Sequence, residues 1–268
     1  MLCSGQLNNE SIYTVKALRL RCFHDESEKF PTGFLQRFIN LENLKVSCSS
    51  FTGIFSSGSF GTEHSERKMK LRRLVIVELN NLEFICEEKS EMHVLQDIEI
   101  LAVSKCSRLK SIVPSSILFG NLEHLEVRYC AGLENIMKSS VVINIQKLRK
   151  LCIHDCEKIE EIIASDDESD ASELAFMKLK YLKLINLPRL RSFCKGKYSL
   201  KFPLLKKLFV VDCPMMETFS HGVSNAPKLR EVHVKEGDEW HWNGDLNTTI
   251  RKFVAKPVMS TQNLCLQS

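Results

Sequence analysis

No glycine loop of the form GxxxxGK(S/T) or GxGxxG occurs in the chain, so phosphate cradling by backbone amides is not encoded. There is no GxSxG elbow and no HExxH, which removes the serine-hydrolase turn and the two-histidine zinc helix. No CxxC occurs, and Cys152 and Cys156 lie four apart with no His/Cys pair at zinc spacing nearby. No apolar run approaches about 18 residues, so no membrane-spanning helix is expected. Met1–Asn9 lacks a charged stretch followed by an apolar one, so no secretory leader is read there. The net charge of +4 is mild and does not by itself call for nucleic acid. The eight histidines are scattered; His124 and His154 are expected to be solvated surface residues. Catalysis, a cofactor and a metal are all unexpected.

What is present is one spacing, used over and over. From Leu148, apolar or Cys residues follow at plus 3, 5, 8, 11 and 14: Leu151, Ile153, Cys156, Ile159 and Ile162. The same ruler laid from Leu71, Ile98, Leu122, Leu179 and Leu205 matches at every position. Weaker copies start at Val15, Leu41 and Leu229, so nine starts are separated by steps of 24 to 31 residues. This is the leucine-rich-repeat signature, whose period is about 20–29 residues. The alternation of Leu151 and Ile153 is the period-2 pattern of a strand with one buried face. A single such strand cannot bury that face, but stacked copies form a parallel sheet over a continuous core. The expected fold is therefore an α/β leucine-rich-repeat solenoid, a horseshoe with a concave parallel β-sheet, about nine repeats and short, mostly irregular convex segments. Three residues before each start stands a bulky apolar residue (Phe38, Phe119, Phe176, Phe202, Leu95, Ile12 or Ile145), expected to fill the space under the convex face.

Eleven cysteines are many, yet Cys106, Cys130, Cys156 and Cys213 share the plus-8 slot with Leu79 and Leu187. A slot that accepts Leu or Cys is a core slot, because a free thiol behaves as a small buried hydrophobe. Free thiols and the missing leader point to a reducing compartment, so a cytoplasmic location is expected and the sequons at Asn9 and Asn247 are expected to be unused.

The two longest steps mark insertions. Thr52–Lys68 is Gly/Ser-rich and reads as a flexible surface loop. Glu160–Glu173 holds seven acidic residues and no basic one, and reads as a solvated, mobile loop. Residues 1–11 form a lead-in, 12–244 the solenoid with insertions near 52–68 and 160–174, 245–255 a capping helix begun by Asp245 or Asn247, and 256–268 a disordered tail. Trp240 and Trp242 fall where a terminal repeat needs its open edge covered. The ruler is already running by Val15, so the expectation is either an exposed first repeat or a chain that continues something longer.

In each repeat the residues at plus 2, 4 and 6 alternate with the buried pair and face the concave side. Of these positions nine carry Lys or Arg and two carry Glu, a surplus of +7 against +4 for the whole chain. The cations are Arg19, Arg21, Lys45, Arg73, Arg128, Lys150, Lys183, Lys207 and Lys235; the carboxylates are Glu126 and Glu231. Apolar residues (Val75, Val77, Ile100, Tyr181, Ile185, Phe209 and Val211) interleave with them. A face that mixes Lys and Arg with Tyr, Phe and Val suits an acidic protein partner. The bases are too thinly spread, with too few alternating aromatics, for RNA or DNA. The expected partner-binding set is Arg73, Arg128, Lys150, Tyr181, Lys183, Lys207 and Phe209, with Tyr181 and Phe209 as apolar anchors.

Particular strings go beyond the ruler. Leu187-Pro-Arg-Leu190-Arg-Ser-Phe193-Cys194, Val210-Val-Asp-Cys213-Pro-Met-Met216-Glu-Thr-Phe219-Ser and Cys156-Glu-Lys-Ile159-Glu-Glu-Ile162-Ile163 are three of them. With Trp240-His-Trp242-Asn-Gly-Asp-Leu-Asn247, they resemble the C-terminal leucine-rich-repeat region of plant coiled-coil-type nucleotide-binding disease resistance proteins, over about Ile12 to Phe253. The resemblance implies a recognition module of plant innate immunity. It would sense a pathogen effector or a guarded host protein, or restrain a receptor's nucleotide-binding domain, as a fragment or truncated receptor. That family's nucleotide-binding motifs and N-terminal helical bundle do not occur in this sequence. Two alternatives fit less well: an F-box-type substrate adaptor of a ubiquitin ligase, which shares Cys at plus 8 but needs more than fourteen preceding residues, and a ribonuclease-inhibitor-like module, whose repeats are longer.

Overall fold

The computed structural model describes residues 9–23, 30–35, 37–55, 70–87, 95–112, 119–166, 173–234, 242 and 244–254. Trp240, Lys235 and the tail from 256 lie outside them. Every position of the six full ruler matches is buried, as are all seven bulky residues three places before a start. The plus-2 to plus-6 segments form one parallel sheet, with nine strands among the described residues. They are β1 (Ala17–Arg21), β2 (Asn43–Ser47), β4 (Arg73–Val77), β6 (Ile100–Ser104), β7 (His124–Arg128), β9 (Lys150–His154), β12 (Tyr181–Ile185), β15 (Lys207–Val211) and β18 (Glu231–His233). Each neighbours the next along the chain, and each ruler position pairs with its counterpart, as Leu125 with Leu151 and Leu151 with Leu182. The fold is the leucine-rich-repeat solenoid that the spacing implies.

The far sides of the turns are also stranded. The plus-13 region gives β3 (Gly53–Phe55) paired with β5 (Phe84–Cys86), and β8 (Met137–Lys138), β10 (Glu161–Ala164), β13 (Ser192–Cys194) and β16 (Thr218–Ser220) in a second parallel set. The residues before the later starts add β11 (Glu173–Ala175), β14 (Ser199–Lys201) and β17 (Ser224–Asn225). The later turns thus have three strand-lined sides around a core of stacked rings. Phe176 lies parallel to Phe202 with centroids 5.3 Å apart, Phe193 parallel to Phe219 at 4.8 Å, and the two pairs meet edge to face at 5.8 Å. These are the offset and T-shaped geometries that ring quadrupoles favour. Among the described residues helices are few and short: α1 (Asn9–Thr14), α2 (Thr32–Leu35), a 3-10 segment at Ser139–Ile145, and α3 (Leu246–Val254). Asp245 starts α3 by accepting the Thr248 amide at 2.6 Å on its carboxylate.

Two stretches expected to be loops begin as strands. The insertion after Thr52 begins as β3, with Ile54 and Phe55 both buried in the core, a short apolar run enclosed on both faces; residues 56–69 lie outside the described set. The acidic stretch from Glu160 also begins as a strand, since Ile162 and Ile163 are both buried. Its described carboxylates are engaged locally: Glu160 with Lys195 at 3.3 Å, Glu173 with Lys201 at 2.5 Å, and Asp166 with Ser139 Oγ at 3.1 Å and the Ser140 amide at 2.7 Å. Residues 167–172 lie outside the described set.

One feature escaped the spacing altogether. Eight turns leave the concave strand through a residue with positive φ, always at plus 7: Cys22, Cys48, Glu78, Lys105, Tyr129, Asp155, Asn186 and Asp212, with φ between 51° and 58°. The following plus-8 side chain then closes the corner. The thiols of Cys106, Cys130, Cys156 and Cys213 each donate to the carbonyl two residues back, at 3.2 to 3.4 Å. Ser49 does the same at 3.0 Å and also accepts the Phe23 amide at 3.0 Å. Asn and Asp tolerate the left-handed region; a bulky ring pays about 1–2 kcal/mol for it. Tyr129, 52% exposed, holds such a position with φ 54°. Tyr129→Asn is therefore expected to raise the unfolding midpoint slightly and Tyr129→Val to lower it by the equivalent of about 1 kcal/mol, read by urea titration.

Candidate functional site

The concave sheet presents three parallel rows across its strands. The plus-2 row runs Ala17, Asn43, Arg73, Ile100, His124, Lys150, Tyr181, Lys207, Glu231. The plus-4 row runs Arg19, Lys45, Val75, Ala102, Glu126, Cys152, Lys183, Phe209, His233. The plus-6 row begins at Arg21 and includes Arg128, His154, Ile185 and Val211. Arg128, Lys150, Lys183 and Lys207 fall on four successive strands, β7, β9, β12 and β15, about 4.8 Å apart per step. Arg73 stands apart, separated from that group by β6.

Not all of the expected cations are free to meet a partner. Arg128 lies against Glu126 at 2.5 Å, two residues back on the same strand. Lys207 meets Glu231 at 2.8 Å, its registered neighbour on β18, and each holds the other's charge: the Lys207 pKa is raised and the Glu231 carboxyl lowered by their hydrogen bond. Both face carboxylates are thereby consumed. Lys150, Lys183, Arg19, Lys45 and Arg73 have no carboxylate partner among the described residues.

The aromatic anchors differ from each other. Tyr181 is 38% exposed, between Lys150 and Lys207 in its row. Phe209 is half-buried and covered by its neighbours, with the Lys183 ammonium 4.6 Å from its ring centre and the His233 ring stacked on it at 4.4 Å and 8°. The face is also more closed than alternation alone implies. Cys152 is 2% exposed and Val211 7%, although both occupy outward positions. Short side chains on closely spaced strands are overtopped by long neighbours such as Glu126 and Lys183, which flank Cys152 in register. Burial, then the charge of Arg128, holds the half-buried His154 below its ordinary pKa, so it is neutral at pH 7.

A row outside the three adds to the positive charge. At plus 1 the side chains pair in sequence, Lys16 with Glu42, Arg72 with Glu99, and Arg149 with Glu123, at 3.3 to 3.6 Å. The pairing then stops: Lys180, Lys206 and Arg230 are linked amide to carbonyl and have no ion pair among the described residues. They border the face on the side where Tyr181 emerges. Laying the ruler one position earlier shows this run of bases in the sequence, but the outward count at plus 2, 4 and 6 passes over it. Among the described residues no three His, Cys, Asp or Glu side chains converge to hold a metal, and no helix is long and apolar enough to cross a membrane.

The family model described as plant disease resistance protein RPS2-like, leucine-rich repeats, matches residues 1–119 and 117–238. The chain is 24% identical over 177 residues to Disease resistance protein UNI of Arabidopsis thaliana, covering 63% of this chain and 19% of that protein. It is 24% identical over 185 residues to Probable disease resistance protein At1g61300 of the same plant, covering 67% of this chain and 23% of that one. It thus spans about a fifth of the length of these relatives. No solved structure matches it. The chain belongs to the RPS2-like leucine-rich repeats of plant disease resistance proteins.

Proposed function

We propose that this solenoid is a cytoplasmic, non-catalytic recognition surface of plant immunity. It takes an acidic protein partner, a pathogen effector, a guarded host protein or the nucleotide-binding domain of a receptor, against the later half of its concave side. The observation that carries this reading is the unneutralised run Lys180, Lys206 and Arg230 beside Lys150, Lys183 and the exposed ring of Tyr181. Charge of one sign steers a partner of the other, while an exposed aromatic holds it once docked. Arg128 and Lys207, held by Glu126 and Glu231, position the surface rather than meet the partner.

Binding of poly-glutamate, and of a nucleotide-binding domain from a receptor of this class, tests the reading across a salt series. Lys180→Glu, Lys206→Glu and Arg230→Glu combined should weaken both by about tenfold at low salt and flatten the salt dependence. Lys207→Gln should change little. Arg19→Glu, Lys45→Glu and Arg73→Glu combined probe the other unpaired group. Full binding by the first triple variant, with loss in the second, would move recognition to the first strands.

A further inference from the structure

Cys22 and Cys48 are the strand-end residues of consecutive turns. Both have positive φ, 54° and 51°. They follow the registered pair Arg21 and Ser47, and the Cys22 amide donates to the Ser47 carbonyl at 3.0 Å. Their α carbons are therefore one strand spacing apart, about 4.8 Å, within the span of about 4.4–6.8 Å that a disulfide bridges. Cys22 is exposed and Cys48 half-buried, whereas the other seven cysteines among the described residues are buried. Burial pushes the thiols of Cys156 and Cys213 up to about 12 and that of Cys194 up to about 11, so these stay protonated.

The second thiol has a proton acceptor built beside it. Cys48 Sγ donates to Glu78 Oε2 at 3.2 Å, and Glu78 Oε1 accepts from Lys105 Nζ at 2.6 Å. Lys105 and Cys48 together keep the Glu78 carboxyl below its usual range, so it is ionised and aimed at the thiol. The same bond raises Cys48 above an ordinary thiol, outweighing the opposite pull of Arg21. That division of labour leaves the exposed Cys22 to react first and Cys48 to follow.

We propose that Cys22 and Cys48 form a peroxide-responsive thiol pair that closes a disulfide across the first two strands of the concave sheet. The Cys22 thiolate attacks one oxygen of hydrogen peroxide; the O–O bond breaks, Cys22 becomes the sulfenic acid, and the hydroxide released takes up the proton Cys22 gave to solvent. Cys48 sulfur then attacks Cys22 Sγ and the S–O bond breaks. The departing hydroxyl leaves as water with the Cys48 proton, passed through Glu78. Two thiols lose two electrons and one peroxide becomes two waters. The bond ties β1, the outermost strand, to β2. Val15, Leu18 and Phe23 of that first turn are only partly buried, so this turn opens more readily than the fully buried middle ones and a staple acts on it.

The reduced full-length chain is treated with a small excess of peroxide, blocked with N-ethylmaleimide, weighed intact and mapped as peptides. The expected result is two fewer blocked thiols, a cross-linked peptide joining Cys22 to Cys48, and slower amide exchange across residues 17–21. Cys48→Ser should stop at a Cys22 sulfenic acid trapped by dimedone. Cys22→Ser should give neither product. Glu78→Gln should leave the first step unchanged and slow ring closure about tenfold. A cross-link that maps to Cys3 or Cys265, a pair of thiols still lost in Cys22→Ser, or closure at the normal rate in Glu78→Gln overturns the assignment.

Discussion

Leu151→Asp is expected to cut the urea midpoint sharply, while Cys152→Asp should lower it only modestly. Leu151 is fully buried between Leu125 and Leu182 in the core ladder. A carboxylate there meets leucine on both sides, and an unpaired buried charge costs about 3–5 kcal/mol, a large part of the roughly 5–15 kcal/mol that holds a domain together. Cys152 is almost as inaccessible, but its surroundings are charged: Lys150, Lys183 and Arg128 all act on it, opposed by Glu126. A new carboxylate on that side gains cationic neighbours, and the loss should be about 1–2 kcal/mol. Equal destabilisation of the two variants would mean that the strand register is misassigned. A neutral Cys152→Asp would mean that the concave face is as open as simple alternation implies.

The contrast between these adjacent residues shows where the sequence is informative and where it is not. The ruler locates the core because it encodes which side chains leave water, and the plus-3, 5, 8, 11 and 14 positions do so in every full match. It encodes nothing about the length of the neighbour across the ladder. Cys152 lies under Glu126 and Lys183 only because strands stack in register. Charge has the same blind spot. Counting cations along the chain gives a basic face, but Lys207 and Glu231 cancel across two strands, and Lys180, Lys206 and Arg230 align only once the turns are superposed. Charge density over Glu160–Glu173 reads as a loop, yet Ile162 and Ile163 make Glu161–Ala164 a strand, and at the two ends of the stretch Glu160 meets Lys195 and Glu173 meets Lys201. The left-handed corner at plus 7 accepts Cys, Glu, Lys, Tyr, Asp and Asn alike, so no residue type marks it. It is a property of the path the backbone must take after each strand.

Asn247→Ala is the second change expected to have a large effect, and it acts at the other end of the molecule. β16 is the outermost strand of its sheet, so one row of its backbone groups faces no further strand. Asn247, in the first turn of α3, takes the place of that strand. Its Oδ1 accepts from the Phe219 amide at 2.8 Å, the Ser220 amide at 3.1 Å and the Thr218 hydroxyl at 2.9 Å. Its Nδ2 donates to the Ser220 carbonyl at 2.9 Å. Phe219 and Ser220 are buried, so alanine leaves their two amides without partners and without water, while the Thr218 hydroxyl and the Ser220 carbonyl keep each other at 3.0 Å. Each such group costs about 1–3 kcal/mol, and the helix gives way before the full sum is reached, so a loss of about 3 kcal/mol is expected. Asn247→Asp keeps the three accepted bonds but sets a carboxylate against the Ser220 carbonyl; roughly half the loss should remain. Because each turn of a solenoid touches only its neighbours, the damage should stay local. Hydrogen exchange reads this directly. The Phe219 and Ser220 amides should lose protection in Asn247→Ala while the Leu151 and Ile153 amides of β9 keep theirs. If Phe219 and Ser220 exchange at the wild-type rate, the edge of this sheet is closed by the packing of Leu246 and Ile250 and not by the Asn247 amide.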